Sequence, residues 1–220
     1  MITVHHLNNS RSQRILWLLE ELGVAYEVKR YQRNAKSMLA PPALRAVHPL
    51  GKSPVITDGD RTVAETGAIV EYLVGEYGGG RLVPAPGAEE RFRYTYWLHF
   101  AEGSAMPPLV MTLIFGELPK AVPGLVRPIA RMIAQGVRTR YLAPQITAQL
   151  DLMEMELGRG AWFAGPEFTA ADVMMSFPVE AAVARGGLGA RSRLKEWLAA
   201  IHARPAYQAA LAKGGPYAYA

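Results

Sequence analysis

The chain has 220 residues, of which half are hydrophobic and one fifth are charged, so its composition is that of one or two globular domains and not of a disordered chain. Cysteine is absent, which excludes disulfides, thiolate metal sites and a cysteine nucleophile. The formal net charge is +5, but lysine and arginine are spread along the chain without a dense basic run, so no nucleic-acid partner is expected.

The first part of the chain alternates between strand and helix patterns. Residues 2–6 favour a strand, residues 12–22 place their apolar side chains on one face of a helix that Gly23 ends, and residues 26–31 alternate like a second strand. A strand, a helix and a strand with short connections form a βαβ unit, so the two strands are predicted to be parallel.

A second group of elements follows. A short helix is compatible with the pair Pro41-Pro42 inside the less regular residues 33–47. Residues 55–57 and 62–64 are predicted to form an antiparallel hairpin, and residues 65–77 have helical periodicity. The predicted order is therefore β-α-β-α-β-β-α, a compact α/β domain with a mixed sheet.

The remainder of the chain is predicted to be entirely helical. Glycines and prolines mark residues 79–87 as a linker between a domain of residues 1–78 and a domain of residues 88–220. In the second domain a helix is predicted over 88–104, and Pro107-Pro108 should break or kink it. A loop over 119–124 and two or three helices over 125–157 follow. A helix over 170–184 is opened by an N-cap at Thr169 with Asp172 at its third position, and short helices over 194–203 and 205–211 complete the domain.

Targeting and metal-binding signals are missing from the sequence. MITVHHLNN has neither the basic nor the apolar part of a signal peptide, and no uninterrupted apolar run approaches the roughly 20 residues of a membrane span. The five histidines lack the spacing of metal-binding motifs. We therefore expect a cytoplasmic protein with no metal and no membrane partner.

The first candidate site is the turn at Ser53-Pro54. A proline is tolerated where a strand begins, and a cis bond there would expose the backbone of Ser53 to an extended peptide. The alternative is an ordinary trans bond, since only about 5–6% of such bonds are cis.

The second candidate is Glu65-Thr66, where a strand gives way to a helix. The free N–H groups and the dipole of a helix N-terminus favour a carboxylate, to which the Thr66 hydroxyl could also donate. The Glu65 side chain could hold an ammonium group. The alternative is that these residues only cap their own helix.

The third candidate is the polar turn over residues 8–12, between the first strand and the first helix. Ligands of open α/β sheets bind at the carboxyl ends of strands. A hydroxyl or amide there could donate to a nearby thiolate and so increase the fraction of the nucleophilic form. The alternative is that Ser10 or Ser12 is only an N-cap.

Taken together, these stretches resemble the cytosolic glutathione S-transferases over nearly the whole chain. HPLGKSPV, AETGAIVEYL, NNSRSQR and FTAAD occur in the order found in that family, and ILWLLEELGVAYEVKRY is similar to its bacterial and fungal members. The resemblance implies a thioredoxin-like N-terminal domain followed by an all-helical C-terminal domain. It also implies a cis bond at Pro54 and a folding role for the capping box of Thr169 and Asp172.

The resemblance implies which residues bind glutathione. The backbone of Ser53, presented by Pro54, would pair with the cysteinyl unit. Glu65 and Thr66 would hold the γ-glutamyl group, and Lys52 would approach the glycine carboxylate.

The thiolate contact has three candidates. Ser10 is the hydroxyl of the family type, Asn9 competes closely with it, and Ser12 is weaker. No tyrosine lies in this stretch and the chain has no cysteine, so the tyrosine and cysteine mechanisms of other members are not expected.

The implied activity is that of a homodimeric glutathione transferase, with glutathione as cosubstrate and a small hydrophobic electrophile as second substrate. Helical spacing suggests that the electrophile pocket includes Tyr96, His99, Glu102 and Met106. Two alternatives are a glutathione-dependent reductase of disulfides or peroxides and a non-catalytic binding module of the same fold.

Overall fold

The computed structural model describes residues 1–34, 37 and 39–219, so the expectation for residues 33–47 lies partly outside the described residues. One four-stranded sheet has the order β2-β1-β3-β4. Strand β1 is parallel to β2 and antiparallel to β3, and β3 is antiparallel to β4. The strands are β1 Ile2–Leu7, β2 Tyr26–Tyr31, β3 Val55–Asp58 and β4 Arg61–Ala64.

Three helices complete the N-terminal part: α1 Ser12–Leu22, α2 Pro42–Arg45 and α3 Thr66–Tyr77. The predicted order β-α-β-α-β-β-α is therefore confirmed. Helix α1 ends at Gly23, whose φ of 65° is left-handed, and its N–H donates to the carbonyl of Glu20 at 3.2 Å. Only glycine adopts this conformation without a steric penalty, which is why the helix ends where the sequence predicts.

The rest of the chain is helical, and no strand follows β4 within the described ranges. A turn of π-helix, Ala101–Ala105, joins α4 to α5, and a second, Arg138–Leu142, joins α6 to α7. The helices are α4 Glu89–Phe100, α5 Met106–Ala121, α6 Arg127–Val137, α7 Ala143–Glu156, α8 Ala170–Gly186, α9 Ser192–His202 and α10 Pro205–Gly214.

Prolines affect the helices at two places. The α-helical hydrogen-bond pattern is interrupted directly before Pro107 and Pro108 by the π-helical turn Ala101–Ala105, in agreement with the predicted break or kink, although the chain stays helical on both sides. The loop predicted to begin at Pro119 begins later, because α5 continues through this proline to Ala121. Pro119 lies in the last turn of the helix, so at most one backbone hydrogen bond is lost there.

The hydrophobic core is continuous between the sheet side and the helical side of the molecule. Trp17 on α1 packs edge-on against Tyr207 on α10, with ring centroids 5.2 Å apart. Arg14, also on α1 and fully buried, donates to the carbonyl of Met174 on α8 at 2.5 Å. Helix α1 therefore fixes the polar turn before it relative to both halves of the chain.

The predicted capping box at the start of α8 is confirmed. The Thr169 hydroxyl accepts from the N–H of Ala171 at 3.3 Å, and the Asp172 carboxylate accepts from the N–H of Thr169 at 3.0 Å. Asp172 also accepts from the N–H of Phe163 at 3.0 Å and from the indole N–H of Trp197 at 3.1 Å. Burial raises the pKa of Asp172 to about 6, although these hydrogen bonds oppose the change.

Candidate functional site

The structure brings all five predicted glutathione contacts into one cavity of about 90 Å³. The walls come from the approach to β3, the start of α3, the polar turn before α1 and the π-helical turn after α4. Strand β3 and helix α3 are linked only by the short β4 hairpin, so the two halves of the cavity are held close by local chain connectivity. The five contacts are Lys52, Ser53, Pro54, Glu65 and Thr66.

The Ser53–Pro54 bond is cis, as the resemblance implied. The Ser53 hydroxyl donates to the carbonyl of His5 at 3.0 Å and accepts from the N–H of Leu7 at 3.3 Å. Both partners belong to β1, whose pairing with β3 stops at Val4. The side chain of Ser53 thus attaches the turn to the central strand beyond the end of the backbone ladder.

Glu65 is the N-cap residue of α3 and has a positive φ of 71°. Such a conformation is uncommon outside glycine and costs on the order of 1–3 kcal/mol, which points to a functional constraint. Its side chain makes no capping hydrogen bond to the helix. The alternative that Glu65 only caps its own helix therefore has no support in the structure. Thr66 beside it is buried and begins the helix.

Ser10 lies at the centre of a chain of side-chain hydrogen bonds. Its hydroxyl is 2.7 Å from the Ser12 hydroxyl and donates to the Ser53 hydroxyl at 3.3 Å. The Ser12 hydroxyl is in turn 2.9 Å from Nδ1 of His6. The N–H of Ser12 also donates to the Ser10 hydroxyl at 3.3 Å, so Ser10 supports the start of α1 as well.

The hydrogen bonds that link His6, Ser12, Ser10 and Ser53 all donate in the same direction. Ser53 gives its proton to a backbone carbonyl, so it accepts from Ser10, and Ser10 then has no proton left for Ser12. Ser12 therefore donates to Ser10, and His6 donates to Ser12 from Nδ1. Burial and the nearby Arg30 lower the pKa of His6 to about 4, so it is neutral at pH 7 and carries the single N–H that this order needs.

The side chain of Asn9 is engaged elsewhere. Its amide oxygen accepts from the N–H of Ala218, in the segment after α10, at 2.9 Å. That segment is held by the hydroxyl of Tyr217, which donates to the buried carboxylate of Glu180 at 2.6 Å. The Ser10 hydroxyl thus lies 3.3 Å from the Ser53 hydroxyl, whereas the Asn9 amide oxygen is held by the segment after α10.

Arg11 is a site residue that the sequence analysis missed. It lines the cavity, and its Nε lies 3.2 Å from the Glu102 carboxylate. The buried Arg14 donates to the other oxygen of Glu102 at 2.5 Å. Burial opposes ionisation of Glu102, but Arg14 and Arg11 outweigh it and lower its pKa. In the sequence, the one feature that could have indicated a role for Arg11 in the site is its position next to Ser10.

The four predicted residues of the electrophile pocket are not brought together. Glu102 lines the cavity described above, whereas Tyr96 lines a different cavity of about 360 Å³ with Phe92. His99 is exposed and Met106 is buried. The expectation assumed one continuous helix, but the π-helical turn after α4 changes the number of residues per turn and so rotates the residues that follow it.

Residues 1–34, 37 and 39–219 contain no group of three or more histidine, aspartate or glutamate side chains placed to hold a metal ion. Over the same residues, no helix is both long and apolar enough to cross a membrane.

The chain matches two family models, described as the glutathione S-transferase N-terminal domain over residues 1–75 and C-terminal domain over residues 135–200. It is 39% identical to glutathione S-transferase 3 of Schizosaccharomyces pombe, over 97% of this chain and 88% of the relative. It is 30% identical to glutathione S-transferase 1 of Saccharomyces cerevisiae, over 97% of this chain and 95% of the relative.

Solved structures show the same likeness. A glutathione S-transferase from Actinobacillus pleuropneumoniae superposes with a TM-score of 0.82 at 32% identity, over all of this chain and 95% of the other. A sphingomonad glutathione S-transferase complexed with glutathione superposes with a TM-score of 0.74 at 22% identity, over 97% and 98% of the two chains. The thioredoxin-like fold followed by a helical domain is thereby confirmed.

Proposed function

Because the chain belongs to the glutathione S-transferase family and is a glutathione transferase, we propose that its site holds glutathione as a thiolate for attack on a small electrophile. One observation carries this proposal. The five candidate contacts line a single cavity, and the Ser10 hydroxyl lies 3.3 Å from Ser53, one of the five. Glutathione is the cosubstrate of the reaction.

Each part of glutathione has a partner in the proposed complex. The ammonium of the γ-glutamyl group pairs with the Glu65 carboxylate. The carboxylate of the γ-glutamyl group accepts hydrogen bonds from the free N–H groups at the start of α3 and from the Thr66 hydroxyl. The cysteinyl backbone pairs with Ser53 next to Pro54, as an extended strand adds to a sheet edge. Lys52 approaches the glycine carboxylate. The pairing of Glu65 with the γ-glutamyl ammonium is supported by the positive φ of Glu65 and by its side chain, which makes no capping hydrogen bond to α3.

The chemical step that we propose is nucleophilic attack by sulfur. The thiol loses its proton to solvent, and the Ser10 hydroxyl turns its hydrogen from Ser53 to the thiolate. The sulfur electron pair then forms a bond to the electrophilic carbon, and the leaving group departs with its own electron pair. The protein contributes hydrogen-bond donation to the anion and proximity of the two reactants.

The proposed domain division follows the same chemistry. Residues 1–78 form the glutathione-binding domain, residues 79–87 a linker, and residues 88–220 the domain that binds the electrophile.

We also propose a cytoplasmic location, because the reducing cytosol keeps glutathione in the thiol form that the reaction consumes.

Turnover of a chlorinated nitrobenzene with glutathione tests the function directly. We expect release of chloride and formation of the thioether to be saturable in glutathione. A model disulfide in place of the aryl halide is the comparison, and faster turnover of the disulfide would contradict conjugation as the main reaction.

Replacement of Glu65 by Gln should weaken glutathione binding roughly tenfold, because the carboxylate that pairs with the γ-glutamyl ammonium becomes an uncharged amide that still accepts a hydrogen bond but no longer forms an ion pair. Isothermal titration calorimetry with glutathione measures the effect. Glu71→Gln is the matched control, since Glu71 is an exposed glutamate of the same helix. Equal affinities of the Glu65→Gln and Glu71→Gln variants would remove Glu65 from the site.

We propose that the chain forms a homodimer through an exposed apolar patch on α4 and α7. Phe92 on α4 is 79% exposed, and Tyr96 and Met155 beside it are each almost half exposed. Three such side chains around one open cavity are typical of a surface that another protein covers.

Replacement of Phe92 by Asp should convert this dimer into monomers, because it places an unpaired charge in the contact. Light scattering after size exclusion should give the wild type twice the 24.1 kDa of one chain and the variant a single chain mass. Thr95→Asp, at another exposed position of α4, is the control. A wild-type mass of one chain would refute the dimer.

A further inference from the structure

Helix α6 and the turn before it present an apolar stripe to solvent. Leu125 is 93% exposed and Met132 is 68% exposed, while Ile129 and Ile133 are each about half exposed. A spacing of three and four residues puts Ile129, Met132 and Ile133 on one side of the helix. Surface helices of globular proteins normally bury such a stripe, but Ala130 is the single buried residue of α6.

The same part of the chain is uniformly basic. The sequence from residue 118 to residue 150 contains one lysine, four arginines and no acidic residue. The lysine pairs with the carboxylate of Glu117 at 2.7 Å. Within the described ranges, none of the four guanidinium groups forms an ion pair, and all four residues are exposed. They are Arg127, Arg131, Arg138 and Arg140.

Apolar and basic residues are divided between opposite sides of α6. Arg127 and Arg131 are four residues apart, and Arg138 follows seven residues after Arg131, so the three share a side. Counted at 3.6 residues per turn, that side lies opposite Ile129 and Met132. A helix with an apolar face and an arginine-rich polar face is typical of segments that lie in the plane of a membrane interface.

We infer that α6 and the preceding turn dock this protein onto a bilayer surface that contains anionic lipid. The apolar stripe enters the boundary between headgroups and acyl chains, and the arginines are attracted to the negative surface potential. The expectation of no membrane partner rested on the lack of a spanning segment, which such docking does not need. The inference goes beyond glutathione chemistry and does not depend on it.

Other occupants fit this face less well. A two-fold dimer that buries the apolar stripe would leave the arginines on the opposite side of α6 without a partner from this segment, because residues 118–150 contain no carboxylate. A nucleic acid would neutralise the arginines but would leave the apolar stripe in water. An anionic bilayer satisfies both the charge and the apolar surface.

Sedimentation with vesicles tests the inference on the full-length protein. One vesicle preparation is pure phosphatidylcholine, and the other contains roughly one third phosphatidylserine. We expect co-sedimentation with the anionic vesicles and little with the neutral ones. The bound fraction should fall as salt rises from ~0.05 M to ~0.5 M, because salt screens the attraction.

Two double variants separate the charge from the apolar surface. Arg127→Gln/Arg131→Gln should lower the partition coefficient on the order of 30-fold, since each basic residue near an anionic surface contributes to binding. Ile129→Gln/Met132→Gln should lower it at least as much. Lys29→Gln/Lys195→Gln, at exposed lysines outside residues 118–150, is the matched control and should bind like the wild type. Circular dichroism and aryl-halide turnover without vesicles show whether each variant is folded.

Three results would overturn the inference. The first is a wild type that stays in the supernatant with anionic vesicles. The second is binding that both α6 variants retain in full. The third is a change in solution mass of the α6 variants without vesicle binding by the wild type, which would identify the face as a contact between copies of the chain. If the face instead binds a protein with an acidic surface, the wild type stays in the supernatant with anionic vesicles, and the inference is overturned.

Discussion

Replacement of Ser10 by Ala should raise the pKa of the glutathione thiol in the binary complex and lower kcat/KM at pH 7 on the order of 100-fold. The hydroxyl is proposed to donate to the thiolate and not to the thiol, so its loss destabilises only the ionised form. The dissociation constant of glutathione should change little, because the five residues proposed to contact it are unchanged. The defect should shrink as pH rises, since hydroxide then removes the proton without help.

The ultraviolet absorbance of bound thiolate, followed against pH, measures this pKa directly. Asn9→Ala is the first control and should leave the pKa unchanged, because the Asn9 amide accepts from the N–H of Ala218. Ser12→Ala should have a smaller effect than Ser10→Ala, since Ser12 only orients the Ser10 hydroxyl through its contact at 2.7 Å. If Asn9→Ala alone raises the pKa, the thiolate contact belongs to Asn9.

Replacement of Asp172 by Ala should lower the free energy of unfolding by about 3–5 kcal/mol. The carboxylate joins the start of α8 to Phe163 and to the indole of Trp197 through hydrogen bonds of 3.0–3.1 Å. Its removal leaves three buried N–H donors without this acceptor, and each costs about 1–3 kcal/mol. Urea unfolding measures the change.

The control for this prediction is Asp151→Ala, which removes a carboxylate whose side chain is 63% exposed. Surface pairs of this kind contribute little, so a loss below about 1 kcal/mol is expected. Comparable losses for Asp151→Ala and Asp172→Ala would show that the buried network does not carry the stability assigned to it. Aryl-halide turnover per folded molecule should be similar in both variants, because neither residue lines the cavity proposed to hold glutathione.

The raised pKa of Asp172 adds a pH signature to the same comparison. Burial raises this pKa from 3.8 to about 6, so between these values the folded state holds a proton that the unfolded state has released. The contribution of Asp172 to stability should therefore fall as pH rises from about 4 to about 6. Asp172→Asn, which cannot titrate, should lack this part of the pH dependence.

Local signals in the sequence were sufficient for the order of elements. The βαβ unit follows from periodicities of two and 3.6 residues, and the end of α1 follows from Gly23. The capping box of Thr169 and Asp172 is encoded within four residues. Such features depend on neighbours in the chain, so no knowledge of the tertiary structure is needed to predict them.

The site was predictable in part for the same reason. Ser53 and Glu65 are separated by a single hairpin, so the sequence brings them together. The pairing of Glu102 with Arg14 spans 88 residues and was not predictable, because it depends on how α1 packs against the helical domain. The four residues predicted for the electrophile pocket do not line one cavity for a third reason, since a π-helical turn cannot be recognised from apolar spacing.

The sequence by itself determined the family, the thioredoxin-like and helical architecture and five residues that line one cavity, Lys52, Ser53, Pro54, Glu65 and Thr66. The tertiary structure decided which polar neighbours of Ser10 reach it, which residues of α4 face which cavity, and that the apolar stripe of α6 faces solvent. The physical reason is that periodicity shows which side of a helix is apolar, whereas burial depends on whether another element packs there. For α6 only the three-dimensional arrangement shows that this side is uncovered.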